Sequence, residues 1–443
     1  MIRILRLRGV FFAGPAGDLD YIREWVAKEK KSARWIPLEK KRAAWRIEAL
    51  QRFPHLRVDY KKVPDDQNGF LQMLLWQKEL ASKESIEDEE GPDDQNGFLQ
   101  MLVWQKEFAS KESIEDEEGL WKQDLPAEFL PVISTKSGSS LPESFKKIDS
   151  YLNSKNKIIE RAMRIGLLPE QSIPGVSRNN PLSLLTPDHI TFVRNISQHL
   201  ALKAILEAEQ GDEAAALTTL KAMNGLAMHY SKIEITGLFC STLGLAAEIQ
   251  TREIAYWRVL PLLSNHDLSA SQWIEFFHVE SDIHQRLLHM FRGEWHVNTM
   301  GDDLILAAIP GDPIDFLNAW TDTVNHIVDP VGGHLYEWDK KLKSPLKLSI
   351  GNRGLHKLMI GGFPNYIKGL LSAYIKLKQY DLAFALHSLE REGQNLDNLG
   401  SAVIASLPVE IRSDIRLSID FDKRMISLSA PEGKNPGVDP LPF

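Results

Sequence analysis

Apolar residues recur three and four positions apart through most of the chain beyond residue 143, and this spacing limits the fold more than any other feature. Ile148, Leu152, Ile159 and Ile165 follow it, and such spacing places apolar side chains on one face of a helix. Similar runs follow one another with only short connections, and short connections join antiparallel helices. The sequence therefore predicts a mainly α fold, an antiparallel helical array or bundle.

Two regions depart from this helical pattern. Residues 310–365 are rich in glycine and proline, and we expect loops that fold over the array. Residues 416–421 and 425–429 alternate polar and apolar side chains around a short polar turn, which predicts a small C-terminal β-hairpin. The proline-rich segment 431–443 is predicted to be a loose tail.

The composition agrees with a globular protein of several segments. The chain has 443 residues, of which 43% are hydrophobic and 25% charged, which is ordinary for globular domains. Its single cysteine excludes an internal disulfide. The predicted segments are a basic helical N-terminal arm (1–63), two tandem helical units (64–119, made of 64–91 and 92–119), a linker (120–142), a helical array (143–309), the loop region (310–365), a helix plus β-hairpin (366–430) and the tail (431–443).

Charge is unevenly distributed along the chain, whose formal net charge is -8. Residues 1–63 carry 16 basic and 7 acidic side chains, whereas residues 64–119 carry 4 basic and 16 acidic ones. An acidic chain is not typical of nucleic-acid binders, so we expect no nucleic acid. The basic arm either pairs with the acidic block or contacts an anionic membrane surface. The cations of that arm are Lys28, Lys30, Lys31, Arg34, Lys40, Lys41, Arg42 and Arg46.

Residues 64–91 and 92–119 are tandem copies of one 28-residue unit. Each copy begins with the turn signal Pro-Asp-Asp-Gln-Asn-Gly, continues as an apolar helical run and ends in an acidic tail. The copies differ only at Leu75/Val103 and Leu80/Phe108. Because identical helices compete for one docking groove, we expect one copy to pack and the other to lie over the surface. A spare copy would offer an amphipathic helix to a partner.

Three stretches of the sequence also carry a family resemblance. They are Val-Pro-Asp-Asp-Gln-Asn-Gly at residues 63–69, Glu-Gln-Gly-Asp-Glu-Ala at 209–214, and the late helix followed by the hairpin at 416–429. Over roughly residues 60–430 the chain resembles a large group of uncharacterised bacterial helical proteins, many with an N-terminal membrane anchor. The resemblance implies a helical fold and membrane association. Its motifs are structural, so no catalytic residue is carried over.

The segment around residues 273–296 supplies the candidate catalytic pair. Glu280 and His284 are four residues apart on the apolar face of a predicted helix, so a carboxylate and an imidazole can meet on adjacent turns. They form either a structural pair that satisfies two buried polar groups or a general acid–base pair in an inter-helix cleft.

The opposite, polar face of the same helix carries three candidate metal ligands. His278, Asp282 and His289 stand at offsets of four and eleven residues, so the third lies about two turns beyond the second. A metal site needs at least three converging protein ligands, and solvent exposure is therefore the favoured interpretation. The sequence predicts no metal and no cofactor.

These observations favour a non-enzymatic helical scaffold or protein-interaction protein, with a protein partner still to be identified. A hydrolase-like enzyme using Glu280 and His284 is one alternative, and a peripheral membrane protein bound through the basic arm is another. A span needs about 20 largely apolar residues, and the apolar stretch after Arg8 is much shorter. We therefore expect a cytoplasmic protein, with export and membrane association left open.

Overall fold

The protein is mainly α, with a small antiparallel sheet near its C-terminus, as the sequence predicts. The computed structural model describes residues 35–58, 62–84, 125–134, 145–171, 187–231, 237–263, 276–277, 283–300, 313–327, 363–391, 416–420, 422–429 and 439–442. No helix among these residues combines the length and the apolar character needed to cross a membrane.

The helices follow one another in chain order. They are α1 (Trp35–Arg52), α2 (Gly69–Glu84), α3 (Leu130–Ile133), α4 (Phe145–Ser154), α5 (Asn156–Gly166), α6 (Pro187–Glu209), α7 (Glu213–Ser231), α8 (Gly237–Ile254), α9 (Ile283–Met300), α10 (Pro313–Ile327) and α11 (Phe363–Arg391). One π turn (Ala255–Val259) and one 3-10 turn (Leu260–Leu262) continue α8, and a 3-10 turn (Pro54–Leu56) follows α1.

Helix α7 lies at the centre of the array, where it packs against α5, α6 and α8. Ala216, Leu220, Met223 and Ala227 are fully buried along its length. A helix covered by neighbours on several sides needs apolar side chains around most of its circumference, and α7 has them. The core therefore forms around this helix, and the other elements are placed relative to it.

At the junction between α6 and α7, Gly211 follows one helix and Asp212 caps the next. Gly211 has a φ of +79°, a conformation that glycine adopts without steric cost. Asp212 then accepts a hydrogen bond from the backbone N–H of Ala215 at 3.1 Å, which satisfies one of the free amides at the helix start. This tight connection makes α6 and α7 antiparallel neighbours.

Two predictions in the N-terminal half differ from the structure. The helical run after residue 143 is divided at Lys155 into α4 and α5, because a polar stretch interrupts its apolar face. Part of the predicted linker is not a free connector, since Leu125, Phe129 and Val132 are buried in the core. Spacings of three and four bring these side chains to one face of the turn that contains α3.

The prediction of a loop region over 310–365 was wrong within the described residues. Helix α10 occupies residues 313–327 and begins at a proline, which the first turn of a helix tolerates. Its Trp320 and Val324 are buried. Helix α9 passes through Gly293 to Met300, because burial of Trp295 outweighs the roughly 1 kcal/mol that an internal glycine costs.

The C-terminal hairpin is confirmed, with β1 (Arg416–Asp420) and β2 (Met425–Ser429) paired in antiparallel register. Asp420 accepts a hydrogen bond from the backbone N–H of Lys423 at 2.9 Å and so fixes the turn. The loose-tail prediction was wrong for β3 (Leu441–Pro442), which pairs with β2. Leu441 is buried there, and its apolar side chain accounts for the ordered end of the tail.

Helix α1, the described part of the basic arm, packs against α10. Trp45 donates a hydrogen bond from Nε1 to Oδ1 of Asn318 at 2.7 Å, and its ring lies 6.1 Å from that of Trp295. The arm is therefore joined to the array through aromatic side chains as well as carrying positive charge.

Candidate functional site

The first copy of the tandem unit lies in a groove formed by α5 and α7, and we treat this groove as the candidate functional site. The copy enters as α2, which packs against both of those helices. Among the described residues this is where the most distinctive feature of the sequence, the duplication, contacts the core. For residues 69–76, whose side chains the structure describes, one copy packs into the fold as expected.

The turn signal before α2 has a direct structural role. Asn68 is buried and accepts a hydrogen bond through Oδ1 from the backbone N–H of Leu71 at 3.1 Å, so its side chain caps the helix. The N–H of Gly69 donates to the carbonyl of Glu170 at 2.8 Å. These two bonds fix both the start of α2 and its position relative to the end of α5.

Gly69 lies directly against the imidazole of His229 on α7. A Cβ atom at residue 69 would come within 2.0 Å of Nε2 of His229, which no side chain tolerates. The imidazole cannot easily move away, because its Nε2 donates a hydrogen bond to the carbonyl of Ile165 at 2.9 Å. Glycine is therefore the residue that this end of the groove requires.

The apolar face of α2 fills the rest of the groove. Phe70, Met73 and Trp76 are each at most 2% exposed, and their spacing of three matches one side of a helix. The ring of Phe70 meets Tyr230 edge to face, with 5.8 Å between the ring centroids. Fully burying an apolar side chain of this size contributes about 1.5–3 kcal/mol, so the burial of these three residues stabilises the docked helix.

The groove itself depends on a close approach of α5 and α7. A Cβ at Gly225 would lie 1.8 Å from the carbonyl oxygen of Gly166, and one at Gly166 would lie 2.2 Å from that of Ala222. Two glycines thus bring the helix backbones together. No pattern in the sequence identifies Gly166, Gly225 or His229, because each matters only through a residue distant in sequence.

Electrostatics at the groove favours a neutral imidazole and a cation on the rim. Burial lowers the pKa of His229 to about 4, which keeps it uncharged near neutral pH. The guanidinium of Arg161 lies 5.1 Å from the ring centroid of Trp76, within the range of a cation–π interaction. The groove therefore combines an apolar floor with one positively charged edge.

The second copy, residues 92–119, lies outside the described residues. Its sequence nevertheless repeats each of the docking side chains, with Asn96, Gly97, Phe98, Met101 and Trp104 in equivalent places. Of the two differences between the copies, Leu75/Val103 corresponds to a side chain that is 47% exposed in α2. The groove-facing residues that the structure describes are thus identical in both copies.

The structure describes neither partner of the candidate acid–base pair fully. Glu280 lies outside the described residues, and His284 belongs to α9 without a described side chain. Two other candidates, His278 and Asp282, also lie outside the described part. The acid–base pair therefore stays a prediction from spacing alone.

His289, the remaining metal candidate, lies on α9 beside Arg292. Nη2 of Arg292 donates a hydrogen bond to Nδ1 of His289 at 2.9 Å. A guanidinium next to this imidazole opposes the binding of a second cation. Within the described ranges, no group of three or more His, Cys, Asp or Glu side chains could hold a metal ion.

The basic residues proposed for a membrane surface fall into two groups. Lys28, Lys30, Lys31 and Arg34 lie outside the described residues, and the side chain of Lys40 is also not described. Lys41 is exposed and Arg42 is partly buried. Arg46 contacts the protein, since its Nη2 donates to Nδ1 of His296 at 3.2 Å and its guanidinium lies 5.9 Å from the ring of Trp295.

A buried ionic cluster joins α8 to α11 and was not predicted from the sequence. Arg252 is fully buried and donates from Nε to Oδ1 of Asp381 at 2.9 Å. Lys378 also contacts Asp381, at 3.5 Å. On α8, Glu248 accepts a hydrogen bond from the hydroxyl of Ser231 at 3.0 Å. This cluster connects helices that are more than a hundred residues apart, and it holds α11 against the array.

Comparison of the chain with protein-family models, curated proteins and solved structures found no match. The site is therefore interpreted from its own geometry. That geometry is a groove between α5 and α7 that is filled by the apolar face of α2, part of a 28-residue unit that the chain carries twice.

Proposed function

We propose that the protein is a non-enzymatic helical interaction scaffold that uses one tandem helix to complete its own fold and offers the other to a protein partner. The observation that carries this proposal is the docking of α2, in which Phe70, Met73 and Trp76 are buried by the groove. A second helix with the same apolar face has the same tendency to bury it. Helix-in-groove recognition is a common way for one protein to bind another.

The chemistry of the unit defines the kind of partner. Phe98, Met101 and Trp104 require an apolar groove, and large aromatic side chains are the usual anchors of such interfaces. The acidic tail at 115–118 requires basic side chains at the edge of that groove. The expected partner is thus a protein with an apolar helix-binding groove and a positively charged rim.

The proposal is tested by affinity capture of the full-length protein from its native cells. A variant with both Phe98→Asp and Trp104→Asp removes the apolar face of the second copy. The matched control is Val103→Asp, because Val103 corresponds to the exposed Leu75 of α2. We expect a partner that wild type and the Val103→Asp control both retain and that the double variant loses.

Two outcomes contradict the proposal. A partner that the double variant still captures is bound through another surface. Capture of no reproducible partner by wild type would mean that the second copy has no external ligand. Purified wild type and double variant should also share the same thermal unfolding midpoint, so that loss of a partner is not loss of the fold.

A further inference from the structure

We infer that the groove between α5 and α7 accepts either tandem copy, so that residues 97–112 exchange with α2 as its occupant. This inference rests on the tandem unit used in the proposed function, but it concerns the protein's own groove and not a partner. The exchange would decide which of the two copies is offered to the outside.

The groove recognises α2 through a small set of contacts. The helix cap at Asn68, the close approach of Gly69 to His229 and the buried side chains of Phe70, Met73 and Trp76 define what the groove recognises. Each of these five residues of the first copy has an identical counterpart 28 positions later. Equal contacts give equal docking free energies, so the groove has no described means of preferring one copy.

The lengths of the connecting loops allow either copy to reach the groove. Val58 and Leu125 are buried on either side of the tandem units and act as fixed ends. Docking of the first copy with its cap, residues 68–84, leaves loops of 9 and 40 residues to these anchors, whereas docking of the second, residues 96–112, leaves 37 and 12. Because loop-closure entropy varies only with the logarithm of loop length, these arrangements differ by about 1.4-fold in population.

Exchange has a consequence for binding. When a partner takes the second copy, the first fills the groove, and when a partner takes the first, the second can replace it. The core around His229 and Tyr230 therefore stays covered in both cases. A chain with only one copy would have to expose that surface in order to present its helix, at the cost of the burial that α2 provides.

The experiment blocks one copy at a time in the full-length protein and measures backbone amide exchange by mass spectrometry. Peptides from the two copies have different masses because of the Leu75/Val103 difference. Gly97→Val places a side chain where the second copy would meet His229, and Gly69→Val does the same for the first. If the two copies occupy the groove about equally, each helix of the wild type is undocked about half of the time. Its backbone amides should then exchange only roughly twofold more slowly than those of a helix that is always undocked.

We expect Gly97→Val to raise the amide protection of residues 69–84 at least tenfold, because the competing copy is removed. Gly69→Val should transfer the protection to residues 97–112. Unchanged protection of residues 69–84 in Gly97→Val would overturn the inference, and this result does not depend on how well Gly69→Val folds.

A deletion background provides the remaining control. In a chain lacking residues 92–119, Gly69→Val has no rescuing copy and should lower the thermal midpoint far more than it does in the full chain. Equal losses in both backgrounds would mean that the second copy cannot enter the groove. A harmless Gly69→Val in the deletion background would contradict the contact with His229 and would equally overturn the inference. These tests do not bear on whether a partner protein binds the second copy through Phe98 and Trp104, which the affinity capture measures independently.

Discussion

Buried histidines join distant parts of this protein in their neutral form. His229 donates its Nε2 proton to the carbonyl of Ile165, and His296 donates its own to the carbonyl of Leu56. Burial lowers the pKa of His229 to about 4, and burial together with Arg46 lowers that of His296 to about 3. Protonation of either imidazole would place a charge in a site that accepts only the neutral ring.

These shifts predict a loss of stability in acid. The pKa of His229 is about 4 in the folded protein, whereas an imidazole in an unfolded chain has a pKa of about 6.5. The unfolded state therefore binds more protons between these values, and stability falls as the pH drops from about 6.5 to about 4. His229 accounts for up to about 3 kcal/mol of that loss. Urea unfolding at several pH values should show a shallower decrease for His229→Gln than for wild type, and an unchanged slope would contradict this assignment.

Two ion pairs of the same chemistry should differ strongly in their effect on stability. Asp381→Ala leaves the fully buried Arg252 without its carboxylate partner, and an uncompensated buried charge costs about 3–5 kcal/mol. Glu390→Ala breaks the exposed bidentate pair with Arg424, where solvent screening limits the loss to about 1 kcal/mol or less. Urea unfolding of both variants measures the contrast. Similar losses would show that burial does not determine the strength of these pairs.

Helix α2 shows why the duplication is compatible with a stable fold. Its buried side chains belong to one copy, and the groove is filled once. Deletion of residues 92–119 removes none of the contacts described for α2 and shortens the loop before Leu125. We expect the free energy of unfolding in urea to change by less than about 1 kcal/mol. A cooperative loss of the fold would mean that the second copy has packing contacts of its own.

The helices were more predictable than the groove they form. Spacings of three and four predicted the helical array and the late helix α11, because a continuous apolar face is visible in the sequence alone. Helix α10 was not predicted, because the many prolines and glycines of residues 310–365 indicated loops. Burial of Trp320 and Val324 stabilises a helix there nevertheless. The groove could not be predicted, since His229 meets Gly69 only after α7 has packed against α5.

The two ends of the described chain are held by contacts with the array. Trp45 attaches α1 to α10, and the strand at Leu441 attaches the tail to β2. A side chain of α11 also holds the tail next to β2. Gln379 donates from Nε2 to the carbonyls of Ile426 and Asp439 at 3.2 Å each. The described end of the tail, residues 439–442, is thus attached to the core.

The C-terminal attachment should contribute measurably to the stability of the fold. Leu441→Asp places a charge at a site that is 8% exposed, and it removes the burial of an apolar side chain worth about 1.5–3 kcal/mol. Pro442→Ala is the matched control, because Pro442 is exposed and contributes its backbone carbonyl to the hydroxyl of Tyr256 at 3.3 Å. We expect Leu441→Asp to lower the free energy of unfolding by at least about 2 kcal/mol, and Pro442→Ala to change it by less than about 0.5 kcal/mol. Equal stability of the two variants in urea would show that the tail does not contribute to the core, and the strand at 441–442 would then have no role in closing the fold.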